Sequence, residues 1–202
     1  MLEQYIRPYY QRLFVDGIAN KIAHKITPNQ VTSLACLIGL FVLPALIFHH
    51  FILAVLLLLT SGYCDTLDGT LARTMQASTP LGTVLDIFFD RIVEFAVILG
   101  LFFVQQETRA FMCIIMLGSI LLCVTSFLLV GLFTSNNTQK NFYYSPGIIE
   151  RPEAFIFFIL MILLPTSFTT LAAIFVILVF ITTMIRLYQF SLSQFKISAQ
   201  TS

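Results

Sequence analysis

Residues 64–90 read CDTLDGTLARTMQASTPLGTVLDIFFD. Four carboxylates, Asp65, Asp68, Asp86 and Asp90, stand here at the edge of segments that otherwise read as lipid-buried. An ionised Asp at the bilayer centre costs at least about 2.5–3.5 kcal/mol on insertion scales, so four close together require compensating positive charge. Asp65 and Asp68 are three apart and Asp86 and Asp90 four apart, so each pair occupies one face of its helix. The short 72–80 linker predicts antiparallel neighbouring helices whose aspartate pairs face each other. At about 1.5 Å per residue, the carboxylates lie roughly 5–15 Å inside the helix ends.

Outward from this stretch the chain is apolar. With 58% hydrophobic and 10% charged residues over 202 positions, it reads as a polytopic membrane protein rather than a soluble core protein. At about 20 residues per span the length allows about six. The predicted fold is all-α, with transmembrane helices at about 31–48, 51–71, 81–104, 110–133, 148–164 and 169–188, forming one membrane domain over residues 1–202. The tail after 188 reads as a short interfacial helix followed by disorder. Residues 1–27 form a juxtamembrane segment, in which Leu2, Tyr5, Ile6, Tyr9, Tyr10, Leu13, Phe14 and Ile18 have helical spacing. This predicts an N-terminal interfacial amphipathic helix, with Lys21 and Lys25 facing head groups, or equally a helix packed on the surface of the domain. Charge and Pro8 stand where a secretory signal would have its apolar run, so no cleaved targeting segment is expected.

Asn29 or a polar neighbour is placed to cap the first span, and Thr79 with Pro80 to start the third. Cys36, Cys64, Cys113 and Cys123 lie singly with no CxxC spacing, which predicts packing residues rather than disulfides or a thiolate metal site. A net charge of +1 without a basic run gives no sign of nucleic-acid binding. Six spans would put Arg7, Arg12, Lys21, Lys25, Arg73, Arg91, Lys140, Arg151, Arg186 and Lys196 on one side and Arg109 alone on the other. The positive-inside rule then places the termini and the aspartates in the cytoplasm, the chain being a multi-pass protein of the inner (cytoplasmic) membrane.

Four oxygen donors favour hard cations, Mg²⁺ or Mn²⁺, over zinc. Two such ions would balance the four carboxylates and leave a neutral site able to hold an anion, as two-metal phosphoryl chemistry requires. Gly69 and Gly82 leave room for a ligand near the backbone, and Arg73 offers a planar fork for phosphate. Arg73 also suits an interfacial anchor, Gly69 a packing glycine and Thr79 a simple cap. Glu94 continues the Asp86 and Asp90 face one turn deeper and reads either as a support to those ligands or, in preference, as paired with a neighbour.

Asp65, Asp68, Gly69, Ala72, Arg73, Gly82, Asp86 and Asp90, at these spacings, resemble the signature of the CDP-alcohol phosphatidyltransferases. The sequence PNQVT before the first span resembles that family's entry sequence. The resemblance implies transfer of a phosphatidyl group from CDP-diacylglycerol to a small polar alcohol with release of CMP, using divalent metal ions. By similarity, Asp65, Asp68, Asp86 and Asp90 bind the metals and Asp90 also serves as general base. Gly69, Ala72, Arg73, Thr79 and Gly82 would border the nucleotide and pyrophosphate, with Asn29 and Thr32 contributing from the first helix. Homodimers are common in the family.

Lys140, Arg151 and Arg186 are candidates for binding a phosphorylated acceptor such as glycerol 3-phosphate or inositol phosphate, against ordinary positive-inside anchoring. Arg151 lies in SPGIIERPEAF, which resembles the Gly-x-x-Glu-Arg element of several members. FYYSPGIIERPE resembles a bacterial subgroup without naming its acceptor, and the chain as a whole resembles the bacterial phosphatidylglycerophosphate or phosphatidylinositol-phosphate synthase type. Two rival readings are a membrane prenyltransferase and a divalent-cation transporter. The first normally has acidic motifs far apart, whereas 17 residues intervene here; the second needs a polar path across the membrane, which the sequence lacks.

Overall fold

The computed structural model describes residues 11, 15–23, 25–133, 149 and 151–200. Among these the chain is all-helical, without strands. The helices are α1 (Asp16–Ile22), α2 (Pro28–Leu40), α3 (Val42–Ile47), α4 (Phe51–Thr74), α5 (Pro80–Val104), α6 (Gln106–Phe133), α7 (Arg151–Leu163) and α8 (Phe168–Gln200), with a 3₁₀ turn at Pro165–Ser167 before α8. Most of the expected amphipathic N-terminal helix lies outside the described residues, as does the 134–148 loop with Lys140.

Among the described residues four stretches are long and apolar enough to cross a membrane: Pro28–Ile47, Phe51–Thr74, Gln106–Phe133 and Pro165–Gln194. The third expected span, α5, is 25 residues long but carries Asp86, Asp90, Arg91 and Glu94 in its first fifteen positions. The fifth, α7, has only 13 residues, about 20 Å of helix against the roughly 30 Å of a hydrocarbon core.

Local chemistry sets most boundaries. Thr27, not Asn29, caps α2: its hydroxyl accepts from Gln30 N–H while its own N–H donates to Gln30 Oε1 at 3.0 Å, a reciprocal box with Pro28 next in the chain. The first span therefore starts earlier than the sequence suggested and breaks at Phe41. Pro44 explains the break, since its ring clashes with the carbonyl four residues back. Thr79 caps α5 by accepting from Gly82 N–H at 3.0 Å, with Pro80 in the first turn. At the far end, α8 continues unbroken to Gln200, whereas the sequence suggested that the last span ends near Tyr188.

The main core joins α3 to α8 through Leu46, Leu58, Val97, Met116, Phe158 and Phe175, all essentially buried. A smaller core packs α1 on α4 through Val15, Ala19, Leu67 and Leu71, with Val31 from α2. Apolar residues on the outer side of α6, among them Phe111, Ile114, Leu121 and Leu132, are exposed, which suits a face turned to lipid. One correction concerns the aspartate helices. α4 and α5 make little direct backbone contact; α2 packs against both and separates them.

At the end of the bundle away from the 72–80 linker, the guanidinium of buried Arg109 donates to the carbonyls of Leu101 and Pro165, each at 3.3 Å, and lies 4.4 Å over the Phe168 ring. It thereby ties the ends of α5 and α8 to the start of α6. Close helix crossing matters equally, because a Cβ on Gly39 would stand 2.5 Å from Val93 Cγ2. Gly39→Ala is expected to lower stability by about 1–3 kcal/mol through overpacking. Gly118→Ala, at a position with nothing within 4 Å, should leave the thermal unfolding midpoint in detergent unchanged or slightly raised.

Candidate active site

The aspartates converge although their helices do not pack. One carboxylate oxygen each from Asp65, Asp68 and Asp86 lies within 4.8 Å of the others. That spacing suits oxygen ligands sharing a hard cation. Asp68 is 6% exposed, and its Oδ2 is buried without a hydrogen-bond partner. A buried carboxylate oxygen left bare is costly unless something binds it, so the donor set fits a divalent ion. Asp90 is not in this trio.

Asp90 joins through Arg151, the first residue of α7. Arg151 Nη1 contacts Asp90 Oδ1 at 2.6 Å and is also ion-paired to Asp65 Oδ1. One guanidinium therefore links α4, α5 and α7. The neighbouring Arg91 is held by Glu94 at 2.6 Å and stands 4.0 Å from Asp90. Glu94 thus forms the expected pair with a neighbour.

Two cavities flank the cage. A cleft of about 190 Å³ opens between the N-terminal ends of α2 and α5 and the C-terminal end of α4. Asn29, Thr32, Gly69, Ala72, Arg73, Thr79 and Gly82, the seven residues assigned by resemblance to the nucleotide, all line it beside Asp68 and Asp86. Gly82 gives close quarters there, for a Cβ would stand 3.0 Å from Asn29 Oδ1 and push that side chain back. Gln76, at a φ of 50°, turns the chain out of α4 in a left-handed conformation, and Ala77 N–H returns to the Ala72 carbonyl at 2.9 Å.

The second cavity, about 360 Å³, lies between α5, α6, α7 and α8. Asp86, Asp90, Arg91, Glu94, Arg151 and Arg186 supply its charges, and residues such as Ile120, Phe127 and Val179 an apolar wall. Arg186 Nη1 donates to the Cys123 carbonyl at 3.0 Å and to Ser126 Oγ at 3.3 Å, with its guanidinium 5.2 Å from the Phe127 ring centre. Of the three acceptor candidates, Arg151 and Arg186 meet in this cavity. Lys140 lies outside the described residues. The sequence reading omitted Arg91 from the site, although its position next to Asp90 and three before Glu94 was a signal. Thr83, which lines both cavities, was also missed, one helical turn from Thr79. No disulfide forms among the described residues, and all four cysteines are free.

An all-helical bundle with acidic side chains converging between two cavities suits a membrane phosphotransferase. The model of the CDP-alcohol phosphatidyltransferase family matches residues 25–185, and the chain belongs to that family. It is 28% identical over 195 residues to the inner membrane protein YnjF of Escherichia coli, covering 93% of this chain and 94% of that one. It is 29% identical over 153 residues to the phosphatidylinositol phosphate synthase of Corynebacterium glutamicum, covering 72% and 67% of the two chains. The crystal structure of Mycobacterium tuberculosis phosphatidylinositol phosphate synthase with CDP-DAG bound has the same fold, with a TM-score of 0.72 at 22% identity, covering 86% of this chain and 92% of that one. The same enzyme has been crystallised in complex with manganese and citrate. Family membership removes the support for the prenyltransferase and transporter alternatives.

Arg151→Gln is expected to lower the unfolding midpoint of the metal-free protein, corresponding to about 1–3 kcal/mol, because Asp65 and Asp90 lose their shared cation. Added Mn²⁺ should raise the midpoint more in this variant than in the parent, as read by thermal unfolding in detergent.

Proposed function

We propose that this CDP-alcohol phosphatidyltransferase moves the phosphatidyl group of CDP-diacylglycerol to a small phosphorylated alcohol, glycerol 3-phosphate or inositol phosphate, and releases CMP. The observation that carries the reading is that the two cavities share Thr83 and Asp86. A donor in the first and an acceptor in the second would meet across one turn of α5.

Asp65, Asp68, Asp86 and Asp90 would hold two Mg²⁺ or Mn²⁺ ions, which supply charge neutralisation at the phosphate oxygens when bound. The protein's own groups do the rest. Arg73, with Asn29, Thr32, Gly69, Ala72, Thr79 and Gly82 around the cleft, receives the nucleotide and diphosphate. Arg151 and Arg186 receive the acceptor's phosphate, which leaves its hydroxyl directed to Asp90. Asp90 takes the hydroxyl proton as the alcohol oxygen bonds to the β-phosphorus. The bond from that phosphorus to the bridging oxygen breaks, and CMP departs on the Arg73 side. General-base help of this kind is typically worth about 10²–10⁴-fold.

The membrane arrangement supports this division. A lipid-linked diphosphate keeps its acyl chains in the bilayer and its nucleotide in water, so the site belongs at helix ends. On this reading α5 and α7 complete six spans of a single membrane domain, with the termini and site cytoplasmic by the positive-inside rule. The family habit supports a homodimer.

The test is CMP release from CDP-diacylglycerol by the purified protein with Mg²⁺ or Mn²⁺ and a panel of glycerol 3-phosphate, inositol phosphate, inositol, serine and choline. Release is expected with one phosphorylated acceptor and should vanish with EDTA. Release driven by an unphosphorylated alcohol would overturn the acceptor assignment, and none with any acceptor would overturn the reaction. Asp90→Asn should lower turnover by at least about 10²-fold. Near-parental activity in that variant would remove Asp90 as the base.

A further inference from the structure

Thr70 occupies one of the two unspecified positions between Gly69 and Ala72 and is buried at 5% exposure. Its hydroxyl donates to the Thr66 carbonyl at 2.9 Å and accepts from Arg73 Nη2 at 3.1 Å and from Gln11 Nε2 at 2.9 Å. A hydroxyl has one proton to give and two lone pairs to offer, so every valence is committed. The bond to the preceding turn would satisfy a mid-helix threonine by itself. The other two bonds serve the groups that donate them.

We infer that Thr70 and Gln11 are positioning residues for Arg73, so that the juxtamembrane segment supports the nucleotide cleft from behind its Arg73 wall. Arg73 lies within the last turn of α4, and its Nη1 is 3.6 Å from where a Cβ on Gly69 would stand. The side chain therefore folds back along α4 over the floor of the cleft. An arginine side chain carries about 2 kcal/mol of rotamer entropy, and fixing the guanidinium beforehand removes part of that cost from binding. Thr70 fixes one end of the fork. Gln11 arrives from a point 59 residues away and holds the Thr70 lone pairs in register. The segment that carries it is anchored by Val15 and Ala19 against Leu67 and Leu71 on the same helix.

The inference rests on Arg73 holding the diphosphate, and the experiment separates the two. The readouts are the dissociation constant of CDP for the Mn²⁺-loaded full-length protein, KM for CDP-diacylglycerol, and Mn²⁺ affinity. Thr70→Val keeps the shape of the side chain and removes the hydroxyl. It should weaken CDP about tenfold, the scale of one hydrogen bond, and raise KM with a much smaller change in kcat and none in Mn²⁺ affinity. Thr70→Ser should restore the parental values, and Gln11→Leu should move CDP affinity in the same direction by less. In an Arg73→Ala background Thr70→Val should add nothing. Arg73→Ala weakening CDP while Thr70→Val does not would overturn the positioning role alone. Equal effects of Thr70→Val with and without Arg73 would do the same. CDP affinity unchanged by Arg73→Ala would overturn the diphosphate assignment and the inference with it.

Discussion

Four carboxylates set among apolar helices must be neutralised, and the rest of the bundle is arranged to do so. Arg151 spans Asp65 on α4 and Asp90 on α5, while Glu94 holds Arg91 at the edge of the cage. For Arg151 to reach both aspartates, α7 must begin at the depth of the cage and not at its rim. Phe155 and Phe158, on the main core, hold it there. A mismatch of one helical turn, about 5.4 Å, would remove the guanidinium from both acids. Charge compensation thus fixes where the 13-residue α7 enters.

The same requirement explains why α2 stands between the aspartate helices. If α4 and α5 packed directly, their carboxylates would be forced together with no room for a ligand. With α2 as a spacer, the side chains meet across a gap, and Asn29 and Thr32 line that gap. The capping box at Thr27 sets where α2 starts, and the bare side of Gly82 lets Asn29 close on α5. A pair of side-chain-to-backbone hydrogen bonds at a helix end and a missing methyl group therefore shape the cleft.

What the sequence made legible were features with local causes. The three- and four-residue spacings put each aspartate pair on one face, and Thr79-Pro80 marked the start of α5, both by rules that act within a turn. Of the cleft residues, Gly69, Arg73 and Gly82 were singled out by their chemistry, and Asn29, Thr32, Ala72 and Thr79 came through the family resemblance. The Arg151 ion pairs were not legible, because 86 positions separate it from Asp65 and no periodicity connects them. Arg151 was singled out as an acceptor contact, whereas its contacts within the chain are to the aspartates. The expectation that a short linker makes neighbours of α4 and α5 failed for a physical reason: a linker constrains the helix ends it joins, and a third helix can still separate their lengths. The continuation of α8 past Tyr188 had no local stop signal against it, since neither Pro nor Gly occurs between there and Gln200.

Charge around the second cavity links the two halves of the proposed chemistry. Its described walls carry three acids, Asp86, Asp90 and Glu94, and three arginines, Arg91, Arg151 and Arg186. Without cations the two sets balance, and an incoming phosphate would meet no net attraction. Glu94 cancels Arg91 in either state, because the pair is internal to α5. Divalent ions on the aspartates would cancel Asp86 and Asp90 and leave Arg151 and Arg186 uncompensated. Two positive charges match a phosphate monoester near neutral pH. On the proposed function, a preference for an anionic acceptor would arise only in the metal-loaded site, and the order of binding would follow from electrostatics rather than from a separate gate.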